Sequence, residues 1–567
     1  MLKNLLISFF LFSLFSHLCF SQKASDDIRL RSIISEKGQA EVKIPNPGPT
    51  ETDRITRIFS ISTATGKNLH IFLSPLTVEQ FISEKIDYQI ITRDESKGIT
   101  TAATLAEAME WESYPTYSQY DSIMRHFAAA YPSLCRLDTI GTSIKGKLIL
   151  ALKISDNCTI DESEPESFYT SSIHGNETAG FILMLRLADY LLTNYNTSER
   201  IKKLVDNIEI WINPLANPDG TYKDGNVIIS PVRNNANGYD LNRNFPDPLI
   251  SGSVIQKETT EMMIFLESHM FTLSANFHSG SEVVNYPWDR WSNPHADNEW
   301  FYLISREWAD TVHKYSRKGY MDFLDNGVTN GYDWYPVYGG RQDYVTYSLY
   351  GREVTVELDT NYVTPAGDLA DLWEYNRRSI LGYLENLFYG IQGVVLDATD
   401  DKPVKSMIFI EGHDMDNSHI FSDSLTGVFT RLIVPGLYDL KFAADGYRDT
   451  IIKNVQVFTL EATNLTVKMR SSINPVDTTD PGQPFFYPNP GDTFIKTVLP
   501  EKMKGMVNIR IFTMDGRKIA DYDDDTQEEY PVQLDVSRFP AGTYFVVFKS
   551  ILSDSSCSGR IIVVRRF

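Results

Sequence analysis

The sequence predicts an α/β domain, a mixed central β-sheet flanked by helices, followed by two all-β sandwich domains. Three observations carry this reading. Strand-like and helix-like runs alternate over about 280 residues up to Tyr389. After Tyr389 only short alternating strand-like runs remain, and a Pro/Asp/Thr-rich stretch, "SSINPVDTTDPGQP", divides them into two groups.

Taken in chain order, Lys3 and the apolar run "LLISFFLFSLFSHLCF" have the layout of a signal peptide cleaved near Ser21. A membrane anchor or a lipoprotein site at Cys19 are the alternatives. The run is short for a spanning helix, and His17 and Leu18 suit a lipoprotein site poorly. Residues 22–105 read as a small α+β unit, with alternating stretches such as "DRITRIFSIS" and "KNLHIFLSP" before a helical "TVEQFISEK". Residues 106–389 hold the alternation. Tyr120, Ile123, Met124, Phe127 and Tyr131 recur at helix spacing and Pro132 ends that helix. Further strands are expected at "LILALKI", "SFYTSSI", "NIEIWINP", "FTLSANF" and "EVTVEL", and helices over Thr178–Leu192, near Glu258–Met270, near Trp300–Tyr315 and at "LWEYNRRSILGYLENLF". Residues 390–471 and 486–567 read as two sandwiches joined by the 472–485 linker.

Composition narrows the function. A chain of 567 residues with 42% hydrophobic and 22% charged residues is a folded multidomain protein. Its net charge of -21 disfavours nucleic acid as a partner and favours basic ones. No transmembrane segment is expected once the signal is removed. Three cysteines remain after that cleavage, so there is no disulfide framework. Cys135 and Cys158 flank two expected strands and read equally as one bridge or two buried thiols.

In "SFYTSSIHGNETAGFILMLRLADYLL", His174 falls where a strand ends and Glu177 in the first turn of the next helix, at the carboxyl edge of the sheet. Alone, the pair reads as an ordinary surface contact. "LSANFHSG" adds His278 after another strand, and two imidazoles with a carboxylate can hold Zn²⁺ while leaving a fourth position open. "VRNNANGYDLNRNFPD" places Arg233, Asn242 and Arg243 in one loop, and a neighbouring guanidinium and amide suit a free carboxylate. "WYPVYGGRQDY" reads as a flexible tyrosine-bearing loop, and Glu357 lies late in the strand "EVTVELD", where a carboxylate is either edge protection or a general base.

In this order, "HGNET", "NPDG", "RNNANGYDLNRNFP", "SANFHSG", "NYPWD", "WYPVYGG" and "EVTVEL" resemble the zinc metallocarboxypeptidases, in particular their regulatory N/E-type branch. The likeness runs from about Tyr114 to Tyr389, and "VPGLYDLKFAADGY" resembles the transthyretin-like domain that follows in that branch. The resemblance implies one Zn²⁺ held by His174, Glu177 and His278. Arg233 is then the oxyanion donor, Asn242 and Arg243 the grip on the substrate's terminal carboxylate, Tyr335 a closing side chain and Glu357 the general base. Asp289 and Gln342 match pocket positions for the C-terminal side chain, and a carboxylate there selects Lys or Arg. The alternative for Asp289 is a solvent-facing loop residue.

Two departures stand out. Ser279 replaces the first glycine of the family's His-Gly-Gly, and residues 22–105 have no counterpart in typical members of the branch. A propeptide is the favoured reading, with a folding aid or an extra surface domain as alternatives. "FYPNP", "LDVSRFPAGTYFVVF" and "GRIIVVRRF" resemble the C-terminal sorting domain of the Bacteroidetes type IX secretion system, which makes that machinery an expected partner. The resemblance implies a secreted or surface enzyme that removes single basic residues from peptide or protein C-termini. Its rivals are a peptidase for peptidoglycan or other modified peptides, and a catalytically weak binding protein.

Overall fold

The computed structural model of the chain describes residues 23–93, 98–248, 250, 254–472, 484–500, 503, 505–526, 531–553 and 555–565. The expected signal peptide and most of the expected linker lie outside the described residues. No helix among the described residues is long and apolar enough to cross a membrane.

An eight-stranded mixed sheet organises the α/β domain. Its spatial order is Val328–Asn330, Ser281–Tyr286, Arg352–Asp359, Phe271–His278, Glu166–Ser171, Glu209–Asn213, Leu148–Ile154 and Cys135–Thr142. The strands from Arg352–Asp359 to Glu209–Asn213 run parallel to one another, and antiparallel partners flank them. Central parallel strands are buried on both faces, which is why Glu166–Ser171 and Phe271–His278 are almost wholly buried.

One face is covered by helices Tyr117–Ala130, Ala179–Asn194, Asn298–Tyr315 and Leu369–Glu385, whose buried residues share a core with the sheet. The helix Lys257–Glu267 packs Met262, Phe265 and Leu266 against Trp211 and Phe168 on the other face. The first of these helices begins with a capping box, in which Thr116 accepts from the backbone of Gln119 and the Gln119 side chain accepts from the backbone of Thr116. Gly180 shows how closely Ala179–Asn194 meets the sheet: a Cβ there would stand 2.2 Å from Ser171 Oγ. Cys135 and Cys158 are two buried free thiols, and burial pushes the Cys135 thiol far above its usual range.

The N-terminal unit has a four-stranded sheet and its own core around Leu30, Val42, Ile61, Ile71 and Phe81. Two of its elements differ from expectation. Residues 23–37 are helical, with Leu30 and Ile34 one turn apart on the buried face and Gly38 at φ 84° beyond the end. Asp53–Thr56, expected within a strand-like stretch, is the last half of the helix Pro49–Thr56, which Pro49 starts and Glu51 supports in the first turn. Ala102, Ala108, Trp111 and Tyr114 already belong to the core of the α/β domain.

Residues 390–469 form a sandwich of a three-stranded and a four-stranded sheet around Ile391, Ile408, Phe429, Leu440 and Phe442. A buried ion network fixes it to the α/β domain. Arg431 donates to both carboxylate oxygens of Asp297 at 2.7 and 2.8 Å and to Asp414 at 2.7 Å, while Arg352 donates to Asp297 at 3.0 Å and to the Ser418 carbonyl at 2.6 Å. The C-terminal unit, from Ser471 on, is a second sandwich, again of three- and four-stranded sheets, around Ile495, Val507, Ile509, Val546 and Phe548.

Candidate metal centre and substrate cleft

His174 lies three residues past the strand Glu166–Ser171, and His278 ends the strand Phe271–His278. These strands are parallel neighbours with Ser171 opposite Phe277, so their carboxyl ends bring the two imidazoles together. Glu177 precedes the helix Ala179–Asn194 by two residues. Close backbone approach holds this turn: a Cβ on Gly175 would stand 2.3 Å from the Gly220 carbonyl carbon. Asn217 donates from Nδ2 to the carbonyls of Ile173 and Arg233, each at 3.2 Å, which explains the "NPDG" segment.

His174 Nδ1 stands 2.8 Å from Glu177 Oε1, His278 Nδ1 2.7 Å from Glu177 Oε2, and the two Nδ1 atoms 3.1 Å apart. Ligands at zinc distances in a tetrahedral site lie ~3.3 Å from one another, so these three atoms converge as a metal would require. The outer nitrogens fit as well. His174 Nε2 is 3.0 Å from Asp240 Oδ1, which accepts a hydrogen bond from an Nε2–H and so leaves the Nδ1 lone pair to face the centre. His278 Nε2 is 2.8 Å from Asn276 Nδ2, while the buried Asn276 Oδ1 has no partner. Half a turn of that amide, which preserves its shape, makes Oδ1 the acceptor of Nε2–H and removes the orphan. Burial pushes the His278 imidazole down to about 4, so it is neutral at pH 7, the form that binds a metal. Two imidazoles and a carboxylate, all buried, fit zinc.

Glu357 lies opposite His278 on the next parallel strand. Its Oε2 is buried without a partner. Burial first, then Glu177, push this carboxyl well above the usual range against the pull of Arg233 and Arg243. Arg233 donates from Nη1 to Glu177 at 2.9 Å and from Nε to Asp240 at 3.0 Å; burial opposes its charge, but these two carboxylates outweigh it. Asn242 Oδ1 accepts from the Arg341 backbone at 2.9 Å, which leaves both amide N–H groups to donate. Arg243 donates from Nη2 to the Ile61 carbonyl at 2.9 Å, and its buried Nε has no partner.

Nine of the ten sequence-predicted residues line one cleft: His174, Glu177, His278, Arg233, Asn242, Arg243, Asp289, Tyr335 and Glu357. Gln342 stands behind them and donates to Asp289 at 3.0 Å. The tyrosine loop differs from the flexible segment expected. Tyr335 and Val337 pack into the core of the N-terminal unit, Tyr335 donates to the Ser62 carbonyl at 3.3 Å, and Trp334 donates to the Ala64 carbonyl at 3.0 Å. Ser279 donates its backbone N–H to Glu177 at 3.2 Å, a contact that a glycine would make as well, while its side-chain Oγ is buried without a partner. Gly280 does need its glycine, with φ at 116° and a Cβ that would meet Tyr362 at 2.3 Å.

Sequence reasoning missed Asp240, Asn276 and Asn285, which orient His174, His278 and Asp289. The signal for Asp240 was its place two residues before Asn242, and for Asn276 the alternation that puts it on the same strand face as His278.

Residues 120–379 match the zinc carboxypeptidase family model, and residues 485–564 match that of secretion-system C-terminal sorting domains. The chain is 34% identical over 461 residues to carboxypeptidase D of Anas platyrhynchos, covering 76% of this chain and 31% of that protein; it therefore spans less than a third of this relative's length. It is 31% identical over 404 residues to the human carboxypeptidase N catalytic chain, covering 63% of this chain and 86% of that one. In fold it matches the crystal structure of carboxypeptidase A from Helicoverpa armigera, with a TM-score of 0.50 at 18% identity over 62% of this chain and 97% of the other. Together with the converging His174, Glu177 and His278, these likenesses make the chain a member of the zinc carboxypeptidase family.

Proposed function

We propose that this protein is a secreted zinc carboxypeptidase that removes one residue at a time, by preference Lys or Arg, from peptide C-termini. The observation that carries the reading is the placement of a carboxylate anchor, Arg243, and a buried carboxylate, Asp289, in the same cleft as the three metal-ligating side chains. Export is supported by the match to a sorting domain.

Zinc bound by His174, Glu177 and His278 supplies Lewis acidity, polarising a carbonyl and lowering the pKa of water toward about 7. The chain's own groups do the rest. Arg243 and the Asn242 amide grip the terminal carboxylate, so only the last peptide bond reaches the centre. Asp289, held by Asn285 and Gln342, meets the cationic end of the departing residue. Glu357 takes the proton of the attacking water and passes it to the leaving amine. Arg233 meets the negative charge that develops on the carbonyl oxygen only in the transition state.

The test is release of C-terminal Arg, Lys, Leu, Phe and Glu from matched short peptides, by protein assayed before and after limited proteolysis and with or without a chelator. Arg and Lys release that the chelator abolishes and zinc restores is expected. Chelator-sensitive release of Leu or Phe instead contradicts the specificity, and no release from either sample contradicts the enzyme.

A further inference from the structure

We propose that Asp343, which does not line the cleft, is a positioning residue for specificity: it holds the main chain of Asp289 at the distance from Asn242 and Arg243 that a C-terminal Lys or Arg spans. The proposal rests on the carboxypeptidase reading of the site and on its basic preference. Asn285 and Gln342 orient the Asp289 side chain, and a Cβ on Gly331 would stand 1.8 Å from Asp289 Oδ1, so backbone closes the space behind that oxygen. These contacts set how the carboxylate is turned. Where its main chain stands is set by Asp343, whose Oδ1 accepts from the Asp289 N–H at 3.0 Å and whose Oδ2 accepts from the Arg290 N–H at 2.9 Å. One carboxylate thus holds the peptide units on either side of residue 289, and the Val337 N–H adds a bond to the Asp289 carbonyl at 3.0 Å.

The same short turn reaches the other end of the departing residue. Arg341–Asp343 is a single helical turn. Its Arg341 N–H donates to Asn242 Oδ1, its Gln342 side chain donates to Asp289, and its Asp343 holds the Asp289 main chain. The foot of the turn is buried in the sheet: Arg341 donates from Nη2 to Glu353 Oε2 at 2.8 Å, and that oxygen also accepts from Ser274 Oγ at 2.7 Å on the neighbouring strand. One anchored turn therefore sets the spacing between the grip on the terminal carboxylate and the counter-charge for the side chain. The length of the departing residue has to match that spacing.

The fold alone does not call for a carboxylate at 343. Asp343 precedes a further helical turn, Tyr344–Ser348, and its side chain does not cap it. Burial first, then Asp289, push the Asp343 carboxyl well above the usual range, Asp247 adds to this, and the two backbone donors oppose it. Arg290, in the same corner, gives its Nε to Asp247 at 2.7 Å. A buried carboxylate beside another costs stability. A cation seated against Asp289 offsets that cost, which ties Asp343 to the filled pocket.

The test compares the zinc-loaded full chain with Asp343→Asn and Asp343→Ser, each checked for folding by its melting curve and assayed before and after limited proteolysis. Asparagine keeps the shape with one oxygen for two donors, and serine keeps a single smaller acceptor. The substrates are peptides alike except for C-terminal Arg, Lys, ornithine or Leu, and calorimetry follows binding of free L-arginine. Asp343→Asn is expected to raise KM for the Arg and Lys peptides by about 100-fold, the cost of a misplacement of about 1 Å. The loss falls on KM because Asp289 holds the side chain in the ground state and the transition state alike, so kcat and the Leu peptide are expected to change by less than about threefold. Binding of L-arginine is expected to weaken in step with KM. Ornithine, one methylene shorter than Lys, reads the spacing: its disadvantage against Lys is expected to narrow in both variants. Equal losses for Arg and Leu, an unchanged KM for Arg, or two variants that do not fold overturn the proposal. A parent that releases Leu as readily as Arg overturns the basic preference instead, and the proposal with it.

Discussion

Gln342 and Asn285 both donate to the same oxygen of Asp289, Oδ1, each at 3.0 Å. Oδ2 is therefore the oxygen left to meet a cation. Burial pushes this carboxyl up to about 6, and a bound guanidinium or ammonium offsets that cost. Asp289→Asn is expected to lower kcat/KM for C-terminal Arg by at least about 100-fold, because a site built for a charge rejects what leaves it unpaired. Release of Leu is expected to change far less. In the parent, the ratio of Arg to Leu release is expected to fall as pH falls through about 6, since protonation of Asp289 removes the counter-charge. A ratio that stays flat from pH 8 to 5 contradicts the assignment.

Asp240 stands behind the candidate metal site, where its Oδ1 orients His174 through Nε2. Asp240→Asn is expected to weaken zinc binding by about 10- to 100-fold, as loss of such outer partners does elsewhere. Competition with a chromophoric chelator measures this, and unchanged affinity removes Asp240 from the site.

Much of this site was legible in the sequence because its residues cluster. His174 and Glu177 sit either side of a strand-to-helix turn, Asn242 and Arg243 are adjacent in one loop, and His278 and Glu357 fall late in strands, but it was the resemblance to the zinc carboxypeptidases, not periodicity, that joined them into one site. The contacts of the N-terminal unit with the cleft were not legible. Ile61 and Ser62 enter the cleft through backbone carbonyls, which carry no side-chain signature, and they meet Arg243 and Tyr335 across 182 and 273 residues of chain. The helix over residues 23–37 was readable from Leu30 and Ile34, but exposed Ile28 and a high charge content blur its stripe. Asn276 was hidden for another reason: a buried amide that only orients a neighbour looks in sequence like any strand residue.

Glu166, at the opposite end of the sheet, gives a pH test of stability. Burial, reinforced by Glu209, pushes its carboxyl up to about 8, against a backbone donation from Met270 at 2.6 Å. The folded state therefore holds a proton that the unfolded state loses near pH 4.5. Stability from this group falls as pH rises from 4.5 to 8, by at most about 1.4 kcal/mol per pH unit. Glu166→Gln keeps an acceptor for Met270 and removes that slope. Urea unfolding at pH 5 and pH 8 is expected to show the variant losing less stability between the two than the parent; equal losses contradict the shift.

Asp297 faces two guanidiniums, Arg431 and Arg352, at the junction of the α/β domain with the sandwich that follows. Asp297→Ala leaves both buried charges without their main partner, an expected loss of about 3–5 kcal/mol. The loss is expected as separate melting of the sandwich in calorimetry. A single unchanged transition shows that the ion network does not join the two.

The central claim is that a zinc site and Glu357 together cleave the last peptide bond. The most direct measurement is mass spectrometry of a peptide ending in Arg, incubated with zinc-loaded parent and with Glu357→Gln, each assayed before and after limited proteolysis at one zinc per chain. The account predicts loss of the single terminal residue by the parent and a rate at least about 100-fold lower for the variant with its zinc retained. Equal rates for the two proteins, cleavage inside the peptide, or an intact peptide after incubation with the parent contradicts it.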